Sequence, residues 1–69
     1  MLRLNKRFYN ADDVKSAADD FEDICTIDVR EDDNIFITIT PKSPEQDISR
    51  LEQEFANHVL MLMKDSGRV

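Results

Sequence analysis

The chain has 69 residues, 15 of them acidic and 9 basic, a formal net charge of −6 and one cysteine. That length holds one domain, which buries only about 60% of the surface its unfolded chain exposes. A lone cysteine cannot form an internal disulfide, and an acidic surface repels phosphate backbones, so nucleic acid is not the expected partner.

Leu2 to Phe8 alternates, with Leu2, Leu4 and Phe8 on one face and Arg3, Asn5, Arg7 and Tyr9 on the other. This is the period of a half-buried strand. Lys6 interrupts the apolar face and belongs near an edge, its stem packed and its ammonium in water. Asn10 has the chemistry of a helix N-cap, and Asp12 and Asp13 suit the positive end of the helix dipole. Val14, Ala17, Ala18 and Phe21 recur at helical spacing, which predicts a helix from Ala11 to about Asp23 with a narrow buried stripe.

Ile24 to Arg30 alternates again, with Cys25, Ile27 and Val29 on the core side. Glu31 to Asn34 is a polar turn, and Ile35 to Thr40 follows with three isoleucines on one face. β-branched residues favour strands, and two alternating runs around a short polar turn predict a hairpin. Pro41 ends it. Ser43-Pro44-Glu45-Gln46 then has the order of a capping box with proline at the first helical position. Ile48, Leu51, Phe55, Val59 and Leu62 form the expected core stripe of a long second helix. Gly67 and a short polar tail close the chain.

The element order is β-α-β-β-α, an α+β two-layer sandwich with both helices on one face of a three-stranded, mostly antiparallel sheet. Pairing the first strand with the third gives order 1-3-2, the ferredoxin-like split arrangement without its last strand. The alternative sets the first and second strands side by side and parallel. The first is preferred because the crossover then skips a strand slot.

Candidate chemistry is sparse. His58 is the sole histidine and lies one helical turn after Glu54, so the two can share a face. They lack a nucleophile or an anion-binding loop, and the simpler expectation is a helix residue beside a carboxylate. Cys25 falls on the core face, among acidic neighbours that disfavour a reactive thiolate. Metal binding by His58, Met61, Met63 and Cys25 is conceivable, but the methionines point apart on a helix, and no segment has zinc-ligand spacing. Asp32-Asp33-Asn34 resembles a fragment of a calcium loop without its glycine and distal glutamate. No cofactor is therefore expected, and no catalytic set, so the chain is read as non-enzymatic.

Two surfaces carry the functional reading. The first is the second helix. Val59 to Met63 is an unbroken apolar run, more than one buried face can use. With Phe55, Val59 and Leu62 turned inward, Leu60 and Met61 point partly away, bordered by Ala56 and Met63. An apolar flank on a small acidic domain fits an interface with a protein partner or with a second copy. The second surface is the open sheet face, where Arg3, Arg7, Arg30 and Phe36 offer contacts for a small molecule or regulatory ligand. One central aromatic is too few for the base-stacking platform of an RNA-binding sheet. The N-terminus lacks the apolar stretch of a signal peptide, and no run approaches the ~20 apolar residues of a membrane span. With a free cysteine, the expected location is cytoplasmic, away from the membrane.

The pattern Tyr9…Val14…Ala17-Ala18…Phe21…Ile27…Val29…Asp32-Asp33…Ile35…Ile37…Ile39…Pro41-Lys42, continued by Leu51…Glu54-Phe55…Asn57, resembles the HxsD family of the His-Xaa-Ser system. The resemblance implies a small accessory protein encoded beside radical-SAM maturases and a peptide with His-Xaa-Ser repeats. It carries over no catalytic residues, and implies a partner or peptide-presenting role.

Overall fold

The computed structural model describes residues 1–67 and has the expected element order: β1 (Leu2–Leu4), α1 (Ala11–Asp20), β2 (Cys25–Glu31), β3 (Ile35–Pro41) and α2 (Ile48–Asp65). The sheet order is β1-β3-β2 with both pairs antiparallel, so the split arrangement holds and the parallel alternative does not. The tail expected after Gly67 occupies positions 68 and 69, outside the described residues. Among the described residues, no helix is long and apolar enough to cross a membrane.

The expected strand one is cut short. β1 ends at Leu4, because the Asn5 side chain accepts from Arg7 N at 2.8 Å and its carbonyl accepts from Phe8 N and Tyr9 N, both at 3.0 Å. Asparagine favours this local bonding over a ladder. Phe8, expected in the core, is 67% exposed on the resulting turn.

α1 starts as read: Asn10 Oδ1 accepts from Asp12 N at 2.9 Å and Asp13 N at 3.2 Å. It ends at Asp20 instead of Asp23. Phe21 is the C-cap, and its carbonyl accepts from Ile24 N and Cys25 N, which turns the chain into β2. The pull comes from the core, where Phe21 packs edge-on against Phe55 with ring centres 5.3 Å apart.

Only half of the capping box at Ser43 forms, and it closes a turn and not a helix: Gln46 Oε1 accepts from Ser43 N, but the Ser43 hydroxyl accepts from Glu45 N and Gln46 N donates to Ser43 O. Gln46 Oε1 also accepts from Lys42 N, while Gln46 Nε2 donates to Ile24 O at 3.0 Å. The side chain thus fastens this loop to the turn between α1 and β2. Asp47 is the true N-cap, accepting from Ser49 N at 3.0 Å and Arg50 N at 3.4 Å. At the other end, Ser66 N donates to Leu62 O and Gly67 takes φ 75, a left-handed turn that glycine enters without strain.

The core lies between the sheet and the helices: Leu4, Val14, Ala17, Phe21, Cys25, Ile35, Ile37 and Ile39 meet Leu51, Phe55, Val59 and Met63. The buried row of α2 is therefore Leu51–Phe55–Val59–Met63, every fourth residue. Ile48, placed in the stripe by spacing, is exposed because it is the first helical residue and overhangs the loop. Leu62 is only partly buried.

Candidate functional site

Each helix presents a different side to the rest of the molecule. On the α1 side of α2, His58 Nε2 meets Asp20 Oδ2 at 2.8 Å, and its ring centre lies 5.5 Å from that of Phe21. Glu54, the neighbour expected by spacing, turns instead to Arg50, with Nε to Oε1 at 3.1 Å. The Glu54–His58 acid–base pair is thus not assembled. The histidine joins the helices, a tertiary pairing across 38 positions that no local spacing encodes.

Cys25 is fully buried, with Sγ 3.8 Å from Phe21 O. Burial pushes its thiol pKa above the ordinary value of 9.0, and the Lys42 ammonium opposes this to a lesser degree. Such a thiol packs as a small hydrophobe. Met63 is engaged elsewhere too: its sulfur accepts from Asn10 N at 3.5 Å. Three of the four conceived metal ligands are thus engaged elsewhere, His58 with Asp20, Met63 with Asn10 and Cys25 in the core.

The expected apolar flank of α2 splits. Met63 is buried at 6% exposure and joins the core, which removes it from any surface. The stripe follows a fourfold spacing from Leu51, so the last core slot falls on Met63 and displaces Leu62 to the margin. Ala56 is half-buried and packs against the core. Leu60 at 38% and Met61 at 48% remain exposed. Successive residues differ by about 100° around a helix, so these two side chains straddle the outer side, Met61 toward His58 and Leu60 toward Ala56.

On the opposite surface of the sheet, the register aligns three of the four expected contacts. Arg3 pairs with Phe36 across β1 and β3, and Arg30 pairs with Phe36 across β3 and β2. A single row thus runs Arg3–Phe36–Arg30 over the whole sheet, neighbouring Cβ atoms about 4.5–5.5 Å apart. Arg7, expected beside them, leaves the sheet with the Asn5 turn. Beside the row, Met1, Arg30, Glu31, Asp32 and Phe36 line a shallow hollow. Neither guanidinium of the row forms an ion pair with the described residues.

Compared with known families, the chain matches the model of the His-Xaa-Ser system protein HxsD over residues 4–62. Neither the curated proteins nor the solved structures yield a match. The matched span takes in α1, β2, β3, the last residue of β1 and most of α2, with Phe36, Arg30, Leu60 and Met61 but not Arg3.

Proposed function

The chain belongs to the HxsD family, and from that premise we propose that it is a non-catalytic accessory subunit of a radical-SAM peptide-modification system. It docks on a larger protein through the outer side of α2. The observation that carries this reading is the pair Leu60 and Met61, exposed on a helix capped at both ends and anchored by its buried row. A rigid helix that leaves a leucine and a methionine in water presents adaptable apolar surface at little ordering cost.

Sedimentation velocity tests it, with the chain alone and mixed with a radical-SAM maturase of a His-Xaa-Ser system. The expected result is co-sedimentation that the double variant Leu60→Asp, Met61→Asp abolishes while its circular dichroism stays unchanged. A wild-type chain that sediments independently of the maturase overturns the reading, and a stable dimer of the chain alone redirects it to self-association.

A second reading is favoured by the Arg3–Phe36–Arg30 row, whose two cations, without ion pairs among the described residues, flank an aromatic on a solvent-facing sheet. It makes the chain a regulatory domain for a small anionic ligand. An NMR titration with small aromatic carboxylates that leaves Arg3, Arg30 and Phe36 unmoved removes it.

A further inference from the structure

β1 is an edge strand whose outer side has no partner among the described residues: Leu2, Arg3 and Leu4 pair with β3 alone. The N–H and C=O groups of a free edge are a template for another extended chain. Above this edge runs one side of α2. Glu52, Ala56 and Leu60, four residues apart, stack along it. Glu52 fixes its direction, holding the Met1 ammonium at 3.4 Å, while His58 on the other side of the helix bonds α1. Leu2 and Ala56 are only half-buried and Leu60 is exposed, so an apolar shelf extends past β1 where the sheet stops.

Arg3 is the cation this edge presents to solvent, since Lys6 is drawn to Glu31 at 3.6 Å and the Met1 ammonium to Glu52 at 3.4 Å. The chain carries a net −6, yet its opening reads Arg3, Lys6, Arg7 without an acidic residue before Asp12. Arg3 stands on the open face with no ion-pair partner among the described residues.

We propose that the β1 edge takes an extended acidic segment of another protein as a fourth strand. Side chains alternate along a strand. A residue set beside Arg3 emerges on the open face, where a carboxylate meets the guanidinium. Its two neighbours lie beside Leu2 and Leu4 and point under Ala56 and Leu60, where apolar groups fit. The recognised pattern is apolar–acidic–apolar, held by main-chain bonds and sorted by side chains, as in other strand-addition complexes. A second copy fits poorly. Two β1 strands centred on each other set arginine beside arginine, between two acidic bodies. The β2 edge suits the same segment less well: it carries Arg30 in the same row, but Asp28 shares that open face, Glu31 follows it, and Asp19 and Glu22 border Thr26 and Ile27.

The test uses the full chain, ¹⁵N-labelled, and a capped seven-residue peptide alternating valine and glutamate. Two controls accompany it: a peptide with lysine in place of glutamate, and one N-methylated on alternate residues. The expected shifts fall on Leu2, Arg3, Leu4 and Ala56, with β2 unmoved, and neither control reproduces them. Arg3 is exposed, so Arg3→Glu keeps the fold; it weakens the glutamate peptide about two- to fivefold, the range of a single exposed ion pair, and favours the lysine peptide. Three outcomes overturn the proposal: no shift at millimolar peptide, shifts that survive N-methylation, or shifts centred on β2. The two readings share Leu60, but failure here leaves the other standing, because the maturase contact also uses Met61, farther round α2 from β1, and is read by co-sedimentation.

Discussion

His58 and Asp20 join α1 to α2 through one 2.8 Å contact at the helix surface, half shielded by the Phe21 ring. Such a partly exposed polar pair is worth about 0.5–1 kcal/mol. A urea-unfolding double-mutant cycle of His58→Ala and Asp20→Ala is expected to return a coupling of that size, whereas Glu54→Ala is expected not to couple to His58. Cys25 gives a prediction with a definite sign. Its thiol is held protonated in the fold above the ordinary value of 9.0. The unfolded chain releases that proton near 9, the folded chain only at higher pH. The stability Cys25 contributes is therefore intact below the unfolded value and declines as pH rises past it. Urea midpoints are expected to fall from pH 8 to pH 10 more steeply for the native chain than for Cys25→Ala. A thiol reagent at pH 8 is expected to label Cys25 far more slowly in the fold than in urea. The burial of Cys25 was legible from strand alternation. The partner of His58 was not, because nothing local distinguishes Asp20 from Glu54 as a neighbour.

At the scale of elements, the errors sit where a local bond competes with a repeating one. Leu2 to Phe8 alternates well enough for a long strand, yet Asn5 closes a turn with its own side chain and carbonyl and removes Arg7 from the sheet face. Ser43 and Gln46 form one of the two bonds of a capping box, the Ser43 hydroxyl takes Glu45 N instead, and the Gln46 amide nitrogen donates to Ile24 O, so the helix waits for Asp47. Sequence spacing shows that such bonds are possible and leaves open whether a helix follows. The distinction is measurable. Asp47→Ala removes the acceptor for Ser49 N and Arg50 N and is expected to cost about 1 kcal/mol, the usual loss of an N-cap. Ser43→Ala removes one acceptor in an exposed turn and is expected to cost less than half as much in the same unfolding assay. Equal losses at the two positions contradict the boundary at Ile48. The order of elements and the sheet order followed from alternation and helical stripes, because hydrophobic periodicity is set by the faces that must be buried.

The whole molecule has one small core to draw on, and α2 supplies both its largest buried ring and its exposed apolar pair. For 69 residues a stability of roughly 3–10 kcal/mol is typical. Phe55 is fully buried against Phe21, and Phe55→Ala is expected to cost about 3–5 kcal/mol. That is enough to remove most of the cooperative unfolding transition at 37 °C in a thermal scan. Leu60 and Met61 lie about one and a half helical turns further along, and their replacement by aspartate touches no core contact of comparable depth. The double variant Leu60→Asp, Met61→Asp is expected to stay within about 1 kcal/mol of the native chain, as surface changes usually do. The interface bet on the Val59–Met63 run depends on this separation. Periodicity identified a surplus there but shared it among Ala56, Leu60, Met61 and Met63. Packing against Asn10 then drew Met63 inside and left two side chains outside. A double variant that unfolds like Phe55→Ala places Leu60 and Met61 in the core and ends their candidacy as a docking surface. A folded variant that no longer co-sediments with the maturase assigns them to it.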